Sequence, residues 1–361
     1  MEDMAVDPGF WSGRKVFVTG HTGFKGSWLC LWLAAAGAEV AGYSDGIPTQ
    51  PSLFETASVG DVVASTFADV RDRDRLEAAL REARPDVAFH LAAQPLVRRS
   101  FAEPILTFET NVLGTVNLLE AVCATESVRA AVVVTTDKVY AEALRRRHDE
   151  DDPLGGKDPY SSSKACAELV VAAYRQSYFG GDEAAAVATV RAGNVIGGGD
   201  WAADRLVPDV VAALAAGRAV ELRYPDAVRP WQHVLNPLEG YLVLAERLWR
   251  DRAAARAWNF GPDAADSRSV GFVVDRIASL WGAELELGAA REQPPEAHSL
   301  ELDSTRAQEE LGWRPRWDLD QGLRATVDWY RRHLAGEDGR HLTLAQIEEF
   351  LASPASAPVT A

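Results

Sequence analysis

The chain predicts an α/β fold: a doubly wound parallel sheet with helices on both faces and a smaller C-terminal lobe suited to a substrate. Three observations carry this prediction. Short apolar runs alternate with helix-length amphipathic stretches through the first half of the sequence. A glycine turn, Gly20-His-Thr-Gly23-Phe-Lys-Gly26, follows the first apolar run directly. Past Asn194 the alternation breaks into Gly197-Gly-Gly199 and proline-punctuated segments.

Taken in order, residues 15–19 (Lys-Val-Phe-Val-Thr) are a β-branched apolar run of strand length, and residues 26–36 carry a helix behind the glycine turn. Residues 38–43 predict a second strand, Asp69-Val70 close a third, and 70–83 form a polar-faced helix. Residues 86–91 predict another strand, 110–123 a helix and 130–135 an apolar strand. A helix over 160–178 and a strand over 186–191 complete the alternation. Right-handed crossovers then make the doubly wound sheet the natural product. Helical patterns return at 237–248, 269–281 and within 306–334, which contains Leu311-Gly-Trp313-Arg-Pro315. The expected division is a dinucleotide-binding domain over 11–196 plus about 230–260, and a substrate lobe over 197–229 and 261–350. Residues 351–361 are small, polar and proline-bearing, and are expected to form a disordered tail.

At 361 residues the chain can bury a substantial core, and 47% hydrophobic with 25% charged residues is ordinary for a globular protein. A formal net charge of -16 argues against a nucleic-acid or anionic-membrane partner. Cys30, Cys123 and Cys166 have no metal-ligand spacing, so no metal site is expected, and their odd number suits a reducing cytoplasm. Glu2, Asp3 and Asp7 precede any apolar run, which is unlike a secretory signal, and no apolar stretch reaches membrane-spanning length.

A glycine triplet alone is commonly a tight turn. Between a strand and a helix, Gly20, Thr22, Gly23, Phe24 and Gly26 let backbone approach a pyrophosphate at a helix N-terminus. Asp45, at the end of the second strand, can bind a ribose 2′-hydroxyl and repel a 2′-phosphate, which favours NAD; it serves equally as a turn residue beside Gly46. Asp69 and Val70 would meet the adenine edge, and Leu91, Ala92, Ala93 and Gln94 would pass beneath the dinucleotide.

Tyr160-Ser-Ser-Ser-Lys164 places a phenol and an ammonium on one helix face. A tyrosine with a pKa of about 10 is a poor base at neutral pH, and a neighbouring cation makes its phenolate usable. Lys164 can also hold the cofactor ribose. Thr135-Thr136-Asp137-Lys138 ends the strand upstream, where the Thr136 hydroxyl can share the substrate's hydrogen bond. Alcohol oxidation needs only the hydroxyl, tyrosine and lysine. Asp137 and Lys138 therefore read as a second acid/base pair, or as a salt bridge at a strand end.

Together these residues resemble the extended short-chain dehydrogenase/reductase family and, within it, the CDP-glucose 4,6-dehydratases, over about residues 11–350. The resemblance is carried by Thr19-Gly-His-Thr-Gly-Phe-Lys-Gly-Ser-Trp28, Pro51-Ser-Leu-Phe-Glu55 and His90-Leu-Ala-Ala-Gln-Pro-Leu-Val-Arg98. Asp158-Pro-Tyr-Ser-Ser-Ser-Lys-Ala-Cys166, Arg191-Ala-Gly-Asn-Val-Ile-Gly-Gly-Gly-Asp-Trp201 and Arg229-Pro-Trp-Gln-His-Val234 carry it further. Related dTDP-glucose dehydratases have Thr-Asp-Glu where this chain has Thr136-Asp137-Lys138, so Lys138 points to the CDP-sugar branch. The resemblance implies that Tyr160 removes the 4-hydroxyl proton as hydride passes from C4 to NAD, and that water leaves across C5 and C6. Asp137 would be the acid at the 6-hydroxyl and Lys138 would assist at C5, before hydride returns to C6. It also implies pyrophosphate contacts from Asn194, Arg205 and Arg229, sugar or base contacts from Gln232 and His233, further substrate contacts from Arg98 and His298, and a homodimer or dimer of dimers built on 107–123 and 160–178.

The sequence departs from the family in two places. Val139-Tyr140-Ala-Glu-Ala-Leu-Arg145-Arg-Arg-His148 replaces a loop that carries a cysteine and tryptophans and is expected to border the sugar pocket. Its three arginines are either a solvated face or phosphate contacts. Ser299, near Glu296 and His298, stands where the family often has tyrosine. Two competing readings are an enzyme for another nucleotide sugar, including a 4-epimerase, and a regulator that binds NAD without catalysis. Asp137-Lys138 favours dehydration over epimerisation, and the Tyr160–Lys164 pair disfavours the regulator.

Overall fold

The computed structural model describes residues 6–141, 146–222, 224–283, 287–288 and 301–355. Its main sheet has strands β1 (Lys15–Thr19), β2 (Glu39–Ser44), β3 (Val63–Phe67), β4 (Val87–His90), β5 (Ala130–Val134) and β6 (Ala186–Ala192). Beyond them come β7 (Asn194–Ile196), β8 (Val228–His233), β9 (Ala257–Phe260) and β10 (Ser267–Ser269). The longer helices are α1 (Phe24–Ala35), α2 (Arg73–Ala83), α3 (Gly114–Cys123), α4 (Pro159–Ser177), α5 (Leu206–Ala216), α6 (Leu235–Arg250), α7 (Val270–Trp281), α8 (Leu319–Leu334) and α9 (Gly339–Ala352).

Seven strands pair in parallel in the order β9-β6-β5-β4-β1-β2-β3. The chain runs outward from β1 to β3, returns to β4 beside β1, and continues through β5 and β6. Loops after β1 and β4 therefore part in opposite directions and leave a crevice at the carboxyl ends of the strands, where a ligand belongs. Alternate side chains feed two cores. Val16 and Val18 join Trp28, Trp32 and Leu242 under α1 and α6. Phe17 joins Leu76, Leu118 and Val171 under α2, α3 and α4. Both faces are covered, as a parallel sheet requires.

A second, three-stranded sheet, in the order β10-β8-β7, stands past the end of β6 with α5, α7 and α8 around it. Residues 110–123 split into a π-helical turn, Glu109–Leu113, and α3, instead of forming one α-helix. The expected tail at 351 begins too early: α9 runs to Ala352, and Ser353 is held by Arg316 and Trp317.

Candidate active site

The glycine loop has the geometry a dinucleotide needs. Gly20 sits at φ +75°, and a β-carbon there would lie 2.6 Å from the Ala92 nitrogen; one on Gly26 would lie 2.1 Å from the Gly20 carbonyl. Side chains are thus excluded where β1, β4 and α1 converge. Gly23 caps α1 without a side-chain acceptor, leaving the helix N-terminus to an anion. Thr22 donates to the Gly46 carbonyl at 2.6 Å, tying the loop to the end of β2, where Asp45 is exposed. Asp69 is engaged by Arg71 at 2.6 Å, and that hydrogen bond holds its carboxyl below the usual range. Val70 is buried. Leu91, Ala92 and Ala93 are half-buried along the crevice, with the Ala92 N–H donating to Thr19 Oγ1 at 3.2 Å. The buried Gln94 donates to Thr107 Oγ1 (2.9 Å), and its own N–H donates to Asn111 Oδ1 (2.8 Å). Asn111 also donates to Ser163 (2.9 Å), so the π turn locks the crevice floor to α4.

Asp158 starts α4 by accepting the Ser161 N–H at 2.9 Å, with Pro159 at the first helical position. That cap sets Tyr160 in the first turn, and Lys164 and Glu168 follow on the same face. At the end of β5 the Thr136 hydroxyl donates to Asp137 Oδ1 (2.9 Å) and bonds the Tyr160 phenol. Lys138 Nζ lies 3.0 Å from Asp137 Oδ1, while the buried Asp137 Oδ2 has no hydrogen-bond partner among the described residues. The Thr135 hydroxyl donates to Glu168 Oε1 at 2.5 Å. Burial raises the Tyr160 pKa, and Lys138 is the largest influence in the opposite direction. Burial pulls Lys138 down, but Asp137 and Tyr160 more than offset it and leave it raised. Lys164 donates to the Val134 carbonyl (3.0 Å), and burial lowers it to about 8. Lys138 is thus a second cation favouring phenolate beside the expected Lys164, whose ammonium bonds the strand carbonyl.

These groups open into a cavity of about 340 Å³ lined by Thr135, Thr136, Lys138, Tyr160, Arg98, Asn194, Arg205 and Arg229, among others. Arg205 is oriented by Asp200 at 3.0 Å, and Arg98 by Asp204 at 2.6 Å. Gln232 and His233 correct the sequence reading. Both turn into the core, Gln232 donating to the Phe260 carbonyl (2.7 Å) and His233 packing against Trp28 and Trp317. Burial lowers the His233 pKa to about 3. His298, Glu296, Ser299 and Arg145 lie outside the described residues. The described part of the altered loop also differs from expectation. His148 stacks on Tyr140 (4.6 Å between centroids) and pairs with Asp152 (3.0 Å), away from the cavity lining.

Sequence reasoning passed over Lys25. It lines the cavity, 5.9 Å from the Tyr241 ring, and burial with repulsion from Arg205 lowers it to about 7. A signal was present: a lysine in the first turn of a helix opposes the dipole. His21 was also missed; its ring bonds Ser44 (3.0 Å) and Ser65 (2.9 Å), bracing the glycine loop against β2 and β3.

Comparison with known proteins agrees with this geometry. The family model for GDP-mannose 4,6 dehydratase matches residues 17–326. The chain is 46% identical to a CDP-glucose 4,6-dehydratase of Salmonella typhimurium, over 96% of this chain and 99% of that one. It is 33% identical to a dTDP-glucose 4,6-dehydratase of Streptomyces griseus, over 88% and 94%. Among solved structures, the dTDP-glucose 4,6-dehydratase of Streptomyces venezuelae, with NAD bound, superimposes with a TM-score of 0.76 at 26% identity, over 90% and 99% of the chains. The UDP-glucose 4-epimerase of Thermus thermophilus in complex with NAD gives 0.74 at 30%, over 88% and 98%. The chain belongs to the extended short-chain dehydrogenase/reductase family, in the group that the GDP-mannose 4,6 dehydratase model describes.

Proposed function

We propose that the chain is an NAD-dependent nucleotide-sugar 4,6-dehydratase, a hydro-lyase that converts CDP-glucose to CDP-4-keto-6-deoxyglucose and water. One observation carries the reading beyond the family: Lys138 and Tyr160 line one cavity, and Asp137, buried 3.0 Å from Lys138 Nζ, keeps a carboxylate oxygen with no hydrogen-bond partner among the described residues. Alcohol oxidation or epimerisation at C4 has no use for that pair. The 46% identity to a CDP-glucose 4,6-dehydratase supports the nucleotide.

Gly20, Gly23 and Gly26 fit a dinucleotide pyrophosphate, and Lys164 would hold its ribose. When bound there, NAD supplies the acceptor and donor of hydride. Tyr160, sharing a hydrogen bond with Thr136, takes the proton of the sugar 4-hydroxyl. Asp137, in its protonated form, gives its proton to the 6-hydroxyl, which leaves as water, while the C5 proton passes to a water held by Lys138. Arg205, Arg229 and Asn194 face the diphosphate, with Arg98 at the mouth. A second reading, another nucleotide sugar, follows from the altered loop at 139–148. Incubation with NAD and, separately, CDP-, dTDP-, UDP- and GDP-glucose tests both by mass spectrometry. Loss of one water from CDP-glucose alone supports the assignment; water loss from another nucleotide alone moves it there; no water loss from any member refutes it.

The described residues contain no helix long and apolar enough to cross a membrane. The free cysteines support a cytoplasmic location. The chain is proposed to pair with itself, as a dimer or dimer of dimers. Ile105, Leu113 and Leu169 are 73%, 54% and 59% exposed on adjoining helical segments, beside an apolar hollow formed by Pro104, Phe108, Val112 and Cys166. Sedimentation should give a dimer or larger species that Ile105→Asp with Leu169→Asp converts to monomer; a wild-type monomer refutes the pairing.

A further inference from the structure

Glu168 and Arg191 form an ion pair that the proposed chemistry leaves unused. Their side chains are 2% and 3% exposed, with Arg191 Nη2 2.9 Å from Glu168 Oε2 and Nε 2.9 Å from Oε1. Desolvating such ions costs several kcal/mol each, and well-packed apolar residues are often as stable. The pair is nonetheless fully satisfied. Thr135 Oγ1 donates to Glu168 Oε1 (2.5 Å) and Thr189 Oγ1 to Oε2 (2.7 Å). Arg191 Nη1 donates to the Tyr140 hydroxyl (2.9 Å) and the Glu150 carbonyl (3.2 Å).

Two of these partners share a place in the chain. Thr135 directly precedes Thr136-Asp137-Lys138, and Tyr140 follows two residues after Lys138. One ion pair therefore grips the segment on both sides. Tyr140 in turn donates to Asn259 Oδ1 on β9 at 2.7 Å, so the grip extends to the edge of the sheet. Val134, the residue before Thr135, offers its carbonyl to Lys164, one helical turn before Glu168. Neither Glu168 nor Arg191 lines the cavity.

We infer that the Glu168–Arg191 pair is a positioning device: by clamping Thr135 and Tyr140 it fixes Thr136, Asp137 and Lys138 against Tyr160 and Lys164. The inference rests on the dehydratase reading above. The pair acts through the residues it holds, and small displacements of reacting groups are costly: about 1 Å is worth up to roughly a hundredfold in rate. Electrostatics add a second consequence. Facing Lys164 are Lys25 from α1, His90 from β4 and Glu168 from its own helix, and of these Glu168 holds the ammonium up against burial.

The test compares full-length wild type, Tyr140→Phe, Glu168→Gln and Glu168→Asp, each with NAD and CDP-glucose. Tyr140→Phe removes one hydroxyl and leaves the ion pair, so it decides the question if Glu168→Gln does not fold. Folded Tyr140→Phe should lose about tenfold in kcat with little change in KM. Glu168→Gln should lose more, with its alkaline limb moved to lower pH, and Glu168→Asp should restore that limb. A readout without substrate is the ionisation of Tyr160, taken as the tyrosinate absorbance lost in Tyr160→Phe. It should move to higher pH in both clamp variants as Lys138 is held less well. Wild type that fails to dehydrate CDP-glucose sinks the dehydratase reading, and the Tyr160 titration then still decides the clamp. Folded Tyr140→Phe with wild-type kcat and wild-type Tyr160 titration overturns the inference, as does a change confined to thermal stability.

Discussion

Replacing Lys138 with Met keeps an unbranched stem and removes the charge that most favours the Tyr160 phenolate. A cation within roughly 4–6 Å moves a titrating group by about 1–3 units. The lower end applies here, because the Lys138 side chain is 33% exposed and already paired with Asp137 at 3.0 Å. A shift of about one unit is ~1.4 kcal/mol, or about tenfold less phenolate at neutral pH. The sign follows from the role. A base must be unprotonated, so a higher Tyr160 pKa moves the acid limb of kcat/KM to higher pH by about one unit. Asp137→Asn moves the same limb the other way, because the Asp137 carboxylate raises the Tyr160 pKa, although that variant also loses the acid for the 6-hydroxyl. Initial rates of water loss, measured across pH for both variants, give the two limbs. An acid limb unmoved in Lys138→Met would refute the assignment of Lys138 as the cation that tunes Tyr160.

Three further outcomes follow. Gly26→Ala puts a β-carbon 2.1 Å from the Gly20 carbonyl, so the loop must shift; NAD affinity by calorimetry should fall at least about tenfold, and unchanged affinity would contradict the loop's role. Arg205→Lys keeps a charge for Asp200 but loses the planar fork, so KM for the nucleotide sugar should rise about tenfold with NAD affinity unchanged; an unchanged KM places the diphosphate elsewhere. Glu246, which accepts from the Asp7 N–H (3.0 Å) and Trp11 Nε1 (2.7 Å), is lifted by burial to about 7. Its folded pKa lies above the unfolded one, so its stabilisation is complete below about pH 4.5 and is lost as pH rises through about 7, a span of roughly 3 kcal/mol. Glu246→Gln keeps the acceptor and should flatten that slope in chemical unfolding; an identical slope would contradict it.

Much of the Rossmann half was legible because its strands are buried on both faces and read as apolar runs. β1 matches the predicted bounds, and β2, β4, β5 and β6 match within a residue at each end. The third strand was expected only by its end, at Asp69-Val70, two to three residues past the observed Phe67, because β3 lies at the sheet edge and Val63-Ala-Ser-Thr-Phe67 has neither a continuous apolar run nor strict alternation. β8 escaped notice because Pro230 interrupts it, in a three-stranded sheet where only some positions need hydrogen-bond partners. Tyr160, Lys164 and Thr136–Lys138 were legible from local spacing; Thr136, Lys138 and Tyr160 line one cavity, while Asp137 is buried against Lys138 and Lys164 bonds the Val134 carbonyl. The Glu168–Arg191 clamp was not, because it joins a helix to a neighbouring strand and leaves no short-range pattern. Gln232 and His233 were misread for a related reason: polar residues in a motif look like ligands until tryptophans from distant segments are seen around them.

In the proposed reaction one sugar loses water while hydrogen moves from its C4 to its C6. CDP-glucose carrying deuterium at C4 tests it directly, mixed with unlabelled CDP-glucose in ordinary water and followed by mass spectrometry and NMR. The product should be lighter by one water, with deuterium at C6 of the same molecule, none at C4, and solvent hydrogen at C5. Deuterium kept at C4, deuterium washed into solvent, or a C4 epimer formed without loss of water would contradict it.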